Sequence, residues 1–426
     1  MRILVVGSGA REHAITWRLA QNPTVDRLFA APGNAGIARE ATCLDVAADD
    51  VRGIIGIVER EGIDLTVVGP EQPLVQGLAD ALEARGCKVF GPTKSAARLE
   101  GSKSWAKDLM QRHGIPAARS RSFGAIDEAA AYLDEVGPPV VIKADGLAAG
   151  KGVTVAGDRD EALAALEACL VHRAFGDAGA TVLVEELLTG REVSAFALSD
   201  GREVLPLALA QDFKRAHDGE AGPNTGGMGA YSPVPFVDAA TERHIGDHVL
   251  AATVRAMDAE GTRFRGLLYA GLMLTDDGPK VLEFNCRFGD PETEVVLPRL
   301  RSDFGEMVLA SVEGNLSSYK AHWSEEACVT VVLASGGYPG EYRTGFPIEG
   351  LEDAEALEGV VVFHAGTAER QGTVVTAGGR VLAVSALGDS IGDARARAYE
   401  AVGRISFEGM HFRTDIAARA AEGERP

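Results

Sequence analysis

A chain of 426 residues is too long for one typical hydrophobic core and predicts two to four domains. Its 46 % hydrophobic and 24 % charged residues are ordinary for a globular protein, and a formal charge of −20 excludes non-specific duplex binding, which needs clustered Lys and Arg. A local basic pocket for a small anionic substrate stays open.

Cys43, Cys87, Cys169, Cys286 and Cys328 are scattered with no C-x-x-C pair, so neither a disulfide framework nor structural zinc is expected, and a reducing cytoplasm is. The opening MRILVVGSGAREH turns charged soon after Gly7, which predicts no signal peptide, and apolar runs elsewhere are only strand-sized.

The first hundred residues alternate strand and helix. RILVVG (residues 2–7) reads as a buried strand, followed by a helix over about 11–21. RLFAAPG, DLTVVGPE (64–71) and KVFGP (88–92) read as further strands, with a helix over about 74–85 before the last. Such alternation predicts a parallel, doubly wound sheet, with ligands at the carboxyl ends where GSG, APGNAG, GPEQP and GPT lie. GSGAREH resembles a dinucleotide fingerprint, but Glu12 holds the third glycine position, where it would repel a pyrophosphate. The turn suits part of an anionic substrate instead.

Residues 94–114 (KSAARLEGSKSWAKDLMQRHG) read as a charged helical link. A small unit over about 115–188 holds VVIKADGLAAGKGVTV (140–155), which falls short of a phosphate-binding P-loop. Three residues rather than four separate Gly146 from Gly150, Gly152 stands where a magnesium-holding hydroxyl belongs, and a strand follows rather than a helix. The motif is therefore a hairpin. It either covers phosphates with backbone N–H groups, Lys143 and Lys151 neutralising charge, or is a flexible turn with solvated lysines. A helix over 159–170 and the strand ATVLVEELL follow; Glu185 and Glu186 at its end, with Glu192, suit adenosine or a solvated strand end.

In the section over 189–323, QDFKR offers Asp212, Lys214 and Arg215 to a small zwitterion or a phosphate. GPNTGGMGAYSP reads as a shaped loop built for close approach. His244 and His248 have a zinc-compatible spacing but no third ligand, and read as a solvated helix face. In VLEFNCRFGDPE, Glu283 and Asn285 leave one face of a strand while Leu282 and Phe284 face a core. A carboxylate beside an amide oxygen, with Arg287 nearby, suits magnesium on nucleotide phosphates, or else the polar face of an edge strand. From 324 onward, VTVVLASGGYPG, VVFHAGT and VVTAGGRVLAVSALG are β-rich, with a final helix DARARAYEAVGRI.

Together these blocks resemble the ATP-grasp superfamily and, within it, the glycinamide ribonucleotide synthetase (phosphoribosylamine–glycine ligase) family. The likeness runs through VVGSGAREHA, PGNAG, VVGPEQPLV, GPTKSAARLEGSK, IKADGLAAGKGV, QDFKRAHDG, GPNTGGMGAYSP, EFNCRFGDPE, GGYPG, HAGT and GGRVL. One departure is Ser8, where the pattern has Asn. The resemblance implies an N-terminal doubly wound substrate domain over 1–101, an ATP-grasp domain of two α+β units over 102–323 with a lid subdomain over about 115–188, and a β-rich domain over 324–426.

It also implies a reaction in which ATP, glycine and 5-phospho-β-D-ribosylamine give glycinamide ribonucleotide, ADP and phosphate through glycyl phosphate, in purine biosynthesis. Another ATP-grasp carboxylate–amine ligase is the alternative. ATP is assigned to Lys103, Lys143, Gly146, Gly150, Lys151, Gly152, Glu185, Glu186 and Glu192, with residues 146–152 closing as a lid. Mg2+ or Mn2+ is assigned to Glu283 and Asn285. Asp212, Lys214 and Arg287 are assigned to glycine or its neighbour, and Gly9, Pro32, Gly33, Asn34, Gly69, Pro70 and Glu71 to phosphoribosylamine. Lys143, Asp212 and Arg287 are the implied catalytic residues. No nucleic acid, membrane or protein nucleophile is implied; the expected state is a cytoplasmic monomer or weak homodimer.

Overall fold

The computed structural model describes residues 1–147 and 152–423. Strands β1 (Arg2–Gly7), β2 (Arg27–Pro32), β3 (Thr42–Cys43), β4 (Leu65–Val68) and β5 (Lys88–Phe90) form one parallel sheet in the order β3-β2-β1-β4-β5. Both faces are covered. Along β1, Ile3 and Val5 pack with Ala14, Ile15 and Leu19, whereas Leu4 and Val6 pack with Ile54 and Ile57 on the other side. This period-2 division of an all-apolar run is what a doubly wound sheet demands. The helix read over 74–85 is two pieces, Glu71–Gln76 and Leu78–Glu83, parted at Gly77 with φ 97°.

The link over 94–114 is also two helices. Ser102, extended at φ −142°, ψ 105°, ends Lys94–Gly101 and caps Lys103–His113 by accepting from Trp105 N. The small unit holds β6 (Ser120–Phe123), β7 (Val140–Ala144), β8 (Val153–Ala156) and β9 (Val182–Glu186) in the order β6-β9-β7-β8. β7 and β8 are antiparallel with Lys143 opposite Val153, a strand–strand hairpin as expected. The helices Ile126–Val136 and Arg159–Leu170 supply Leu133 and Leu166 to its own core, against Phe123, Ile142 and Val184.

β10 (Arg191–Asp200) and β11 (Val204–Pro206) begin the next sheet. The chain then makes β12 (Gln211–Asp212), β13 (Arg215–His217), β14 (Ala221–Asn224) and β15 (Gly229–Ser232) before β16 (Arg265–Thr275) and β17 (Gly278–Asn285) complete the order β11-β10-β16-β17. The last section adds β18 (Ala327–Ala334), β19 (Val360–His364), β20 (Thr367–Arg370), β21 (Thr373–Thr376) and β22 (Arg380–Gly388). β12 and β15 join these late strands in a sheet ordered β12-β15-β18-β22-β19. GPNTGGMGAYSP is therefore not a loop throughout: its start pairs with β13, and Gly229–Ser232 pairs with β18.

Candidate active site

β17 carries the central carboxylate. Its register with β16 slips so that Gly271 faces Glu283 while Leu272 faces Val281, leaving Leu282 as an extra residue. This bulge resets the alternation. Val281 and Phe284 are buried in the core, whereas Leu282 is only half-buried, outside the core clusters, and borders the cavity beside Glu283 and Asn285. The expectation that Leu282 faces a core is thus corrected; Glu283 and Asn285 still stand together.

The cavity measures about 1290 Å³ and takes walls from helices of the N-terminal unit, the small unit, β16–β17 and the last section. Burial would raise the Glu283 carboxyl, but Lys214, Lys143, Lys103 and Arg287 hold it below the usual carboxylate range. Glu283 is therefore ionised inside a cationic ring. Lys103 opens its helix and donates to Gly146 O at 3.0 Å; burial draws its ammonium down. Lys143 donates to Leu282 O at 3.0 Å and lies 3.1 Å from Glu185 Oε2. Lys107, one turn after Lys103, lies 3.2 Å from that same oxygen.

A second cluster sits where β12 meets β10 and β16. Lys214 donates to Glu192 Oε2 at 2.5 Å and lies 3.7 Å from Asp212 Oδ1. Burial pushes the Asp212 carboxyl up to about 7, with Lys214 pulling down and Glu292 and Glu192 pushing up. Burial works against the Lys214 ammonium, yet Asp212 and Glu192 hold it well above its ordinary range. Buried Glu292 accepts from Tyr269 Oη at 2.5 Å and from Ser194 Oγ at 3.0 Å.

The third cluster joins units far apart in sequence. Arg287 meets Glu71 Oε2 at 3.1 Å and Glu100 Oε1 at 3.0 Å, while Glu100 Oε2 accepts Cys286 N at 2.8 Å. Burial would raise Glu71, but Arg287 and Arg11 carry it down to about 2. Arg11 donates to Phe288 O at 3.1 Å, and Arg380 pairs with Asp290 at 3.0 Å.

Of the residues predicted for phosphoribosylamine, Glu71 borders the cavity, while Gly9, Pro32, Gly33, Asn34, Gly69 and Pro70, at or just beyond the ends of β1, β2 and β4, do not line it. Asn34 donates to Ser8 O at 2.8 Å and His364 O at 2.7 Å, tying the first turn to β19. Glu12 fills the glycine turn: its Oε2 accepts Gly9 N at 2.5 Å, and a Cβ on Gly69 would stand 2.2 Å from its Oε1. Glu186 is held by Arg119 at 2.7 Å at the cavity rim. Gly152 borders the cavity, Gly146 packs against Ala178, and Gly150 and Lys151 lie outside the described residues. His244 and His248 are exposed and stack at 4.4 Å, apart from this site. Sequence reasoning missed Arg11, Glu100, Lys107, Asp290, Glu292 and Arg380; only Lys107 carried a signal, its spacing of four from Lys103.

Among the described residues no three His, Cys, Asp or Glu side chains are grouped to hold a metal alone. An ionised carboxylate beside an amide oxygen nevertheless fits a hard divalent cation that takes its other oxygens from phosphates. The surrounding lysines would repel such a cation unless an anionic phosphate chain arrived with it. All five cysteines are free. No helix among the described residues is long and apolar enough to cross a membrane.

Residues 1–100, 101–293 and 328–419 match the N, ATP-grasp (A) and C domains of phosphoribosylglycinamide synthetase. The chain is 51 % identical to the phosphoribosylamine–glycine ligase of Pseudomonas aeruginosa, covering 100 % of this chain and 99 % of that one. It is 50 % identical to the ligase of that name from Rhizobium meliloti, covering 100 % of both. The crystal structure of the Thermotoga maritima phosphoribosylamine–glycine ligase superposes with a TM-score of 0.87 at 36 % identity, over 98 % of this chain and 100 % of that chain. The biotin carboxylase domain of Hydrogenobacter thermophilus 2-oxoglutarate carboxylase, solved with MgADP, ADP and bicarbonate, gives 0.76 at 17 % identity over 100 % and 95 %, a likeness of fold alone.

Proposed function

The chain belongs to the phosphoribosylglycinamide synthetase family, and from that premise we propose how its cavity divides the work of the reaction. The protein is an ATP-dependent ligase that joins glycine to 5-phospho-β-D-ribosylamine, giving glycinamide ribonucleotide, ADP and phosphate in purine biosynthesis. The alternative, another carboxylate–amine ligase, finds no support among these relatives.

A carboxylate does not react with an amine at neutral pH. The γ-phosphoryl group passes to a glycine carboxylate oxygen, the ribosylamine nitrogen attacks that carbonyl, and the carbon–oxygen bond to phosphate breaks. No protein nucleophile is needed; the chain's task is alignment and charge stabilisation. In our reading Lys103 and Lys143 receive the phosphates, while Glu185, Glu186 and Glu192 serve the adenosine end. The 146–152 tip, with Gly146, Gly150, Lys151 and Gly152, covers the phosphates and excludes water. Glu283 and Asn285 hold Mg2+ or Mn2+, which when bound offsets phosphate charge.

Asp212 takes the glycine ammonium, and Arg287 and Lys214 its carboxylate. Glu71, backed by Gly9, Pro32, Gly33, Asn34, Gly69 and Pro70, faces phosphoribosylamine. We take the working unit to be a monomer or a weak homodimer, and its small polar substrates suit the cytoplasm. The observation that carries this division is the ring of Lys103, Lys143, Lys214 and Arg287 around one ionised carboxylate, Glu283, in a single cavity. Phosphate release assayed with each substrate omitted in turn tests it: release is expected only with ATP, glycine, ribosylamine and divalent metal together, and release indifferent to glycine counts against it.

A further inference from the structure

Two ammonium groups share one buried carboxylate at the cavity wall. Glu185 Oε2 lies 3.1 Å from Lys143 Nζ and 3.2 Å from Lys107 Nζ, and all three side chains are almost wholly buried. Lys143 also donates to Leu282 O. Lys107 has no such second partner: among the described residues its Nζ makes no well-directed hydrogen bond, so its tie to Glu185 is a charge contact. Lys107 borders the cavity with Lys103, Ala106 and Met110, one face of the helix Lys103–His113.

A buried carboxylate that loses its cation is costly. If Lys143 alone neutralised Glu185, every approach of Lys143 to a phosphate would strip that carboxylate of charge balance. With Lys107 on the same oxygen, the balance survives when Lys143 turns away. We propose that Lys107 is a positioning residue that holds Glu185 and so frees Lys143 to exchange a carboxylate for the triphosphate. The inference rests on the reading of Lys143 as a phosphate contact.

The test is steady-state kinetics on the full chain for Lys107→Met, Lys107→Arg, Glu185→Gln, the double variant Lys107→Met/Glu185→Gln, and Lys143→Met. Lys107→Met leaves Lys143 as the only counter-ion of Glu185 among the described residues, so the KM for ATP rises about tenfold or more while the KM for glycine moves little. Removing the competing carboxylate as well releases Lys143, so the double variant returns to within about threefold of Glu185→Gln alone. Lys107→Arg keeps the charge and stays nearer the parent than Lys107→Met. A double variant as poor as Lys107→Met overturns the proposal, because Lys107 would then touch the nucleotide itself; an unchanged KM in Lys107→Met overturns it too. Should Lys107→Met not fold, Lys107→Gln, which keeps a polar head without charge, is compared in the same way. Lys143→Met separates the two layers. If it leaves the KM for ATP unchanged, the phosphate reading of Lys143 fails and takes the inference with it. If it raises that KM but rescue is absent, the role of Lys107 alone falls.

Discussion

Arg287 Nε donates to Glu71 Oε2 at 3.1 Å, joining the turn after β17 to the carboxyl end of β4. The same guanidinium meets Glu100, so a planar fork spans two carboxylates from different helices. A lysine cannot reproduce that fork. Arg287→Lys is expected to lower kcat/KM for glycine about a hundredfold, with a much smaller change in the KM for ATP. Steady-state kinetics with glycine and ATP varied separately decide it; equal effects on both substrates would place Arg287 in general architecture rather than at glycine.

What the sequence disclosed follows from how local each feature is. RILVVG reads as a central strand because both its faces are buried, a property of the run itself. The hairpin around Lys143 is legible because β-branched residues follow Gly152 where a P-loop needs a helix. The strand Gly229–Ser232 is not, because its partner β18 begins near residue 327 and no local pattern announces it. The side Leu282 takes is not legible either, because a bulge against β16 decides it and the pairing with β16 holds that information. Arg380 and Asp290 meet across ninety positions, a pairing that only the folded chain creates. Glu12 shows in the sequence only as a charge at a glycine position; that its carboxylate is turned inward on Gly9 N and Arg11 is visible only in the folded chain.

Glu283 stands among four cations that keep it ionised. Glu283→Gln preserves shape and removes the charge that a divalent ion needs. Turnover is expected to fall about a thousandfold, and the metal concentration for half-maximal rate to rise about a hundredfold. Titrating Mg2+ and Mn2+ against phosphate release measures both. Near-parent activity at low metal would remove Glu283 from the metal site.

Burial disfavours the charged form of Asp212 and pushes its carboxyl up to about 7. A carboxylate that must receive an ammonium works only when ionised, so kcat/KM for glycine should rise with pH through about 7. Asp212→Asn cannot ionise. Its kcat/KM for glycine should fall about a hundredfold or more and lose that rise. A pH profile from 5.5 to 8.5 in both proteins is the measurement; the same inflection persisting in the variant assigns the titration to another group.

Glu294 raises a question of stability rather than catalysis. It is fully buried in the helix Thr293–Arg299, and among the described residues neither carboxyl oxygen has a hydrogen-bond partner. Burial, with Asp290 nearby, raises its pKa well above the ordinary 4.5. In the unfolded chain the same group loses its proton near 4.5, so above that pH folding must take a proton up, and stability declines as pH rises. Glu294→Gln has no proton to recover. Its melting temperature should exceed the parent's at pH 8 by about 2–4 °C, with the gap closing toward pH 4, where the carboxyl is neutral in both states. Melts at pH 4, 6 and 8 decide the matter: a difference independent of pH would mean that Glu294 is not the neutral acid its surroundings require.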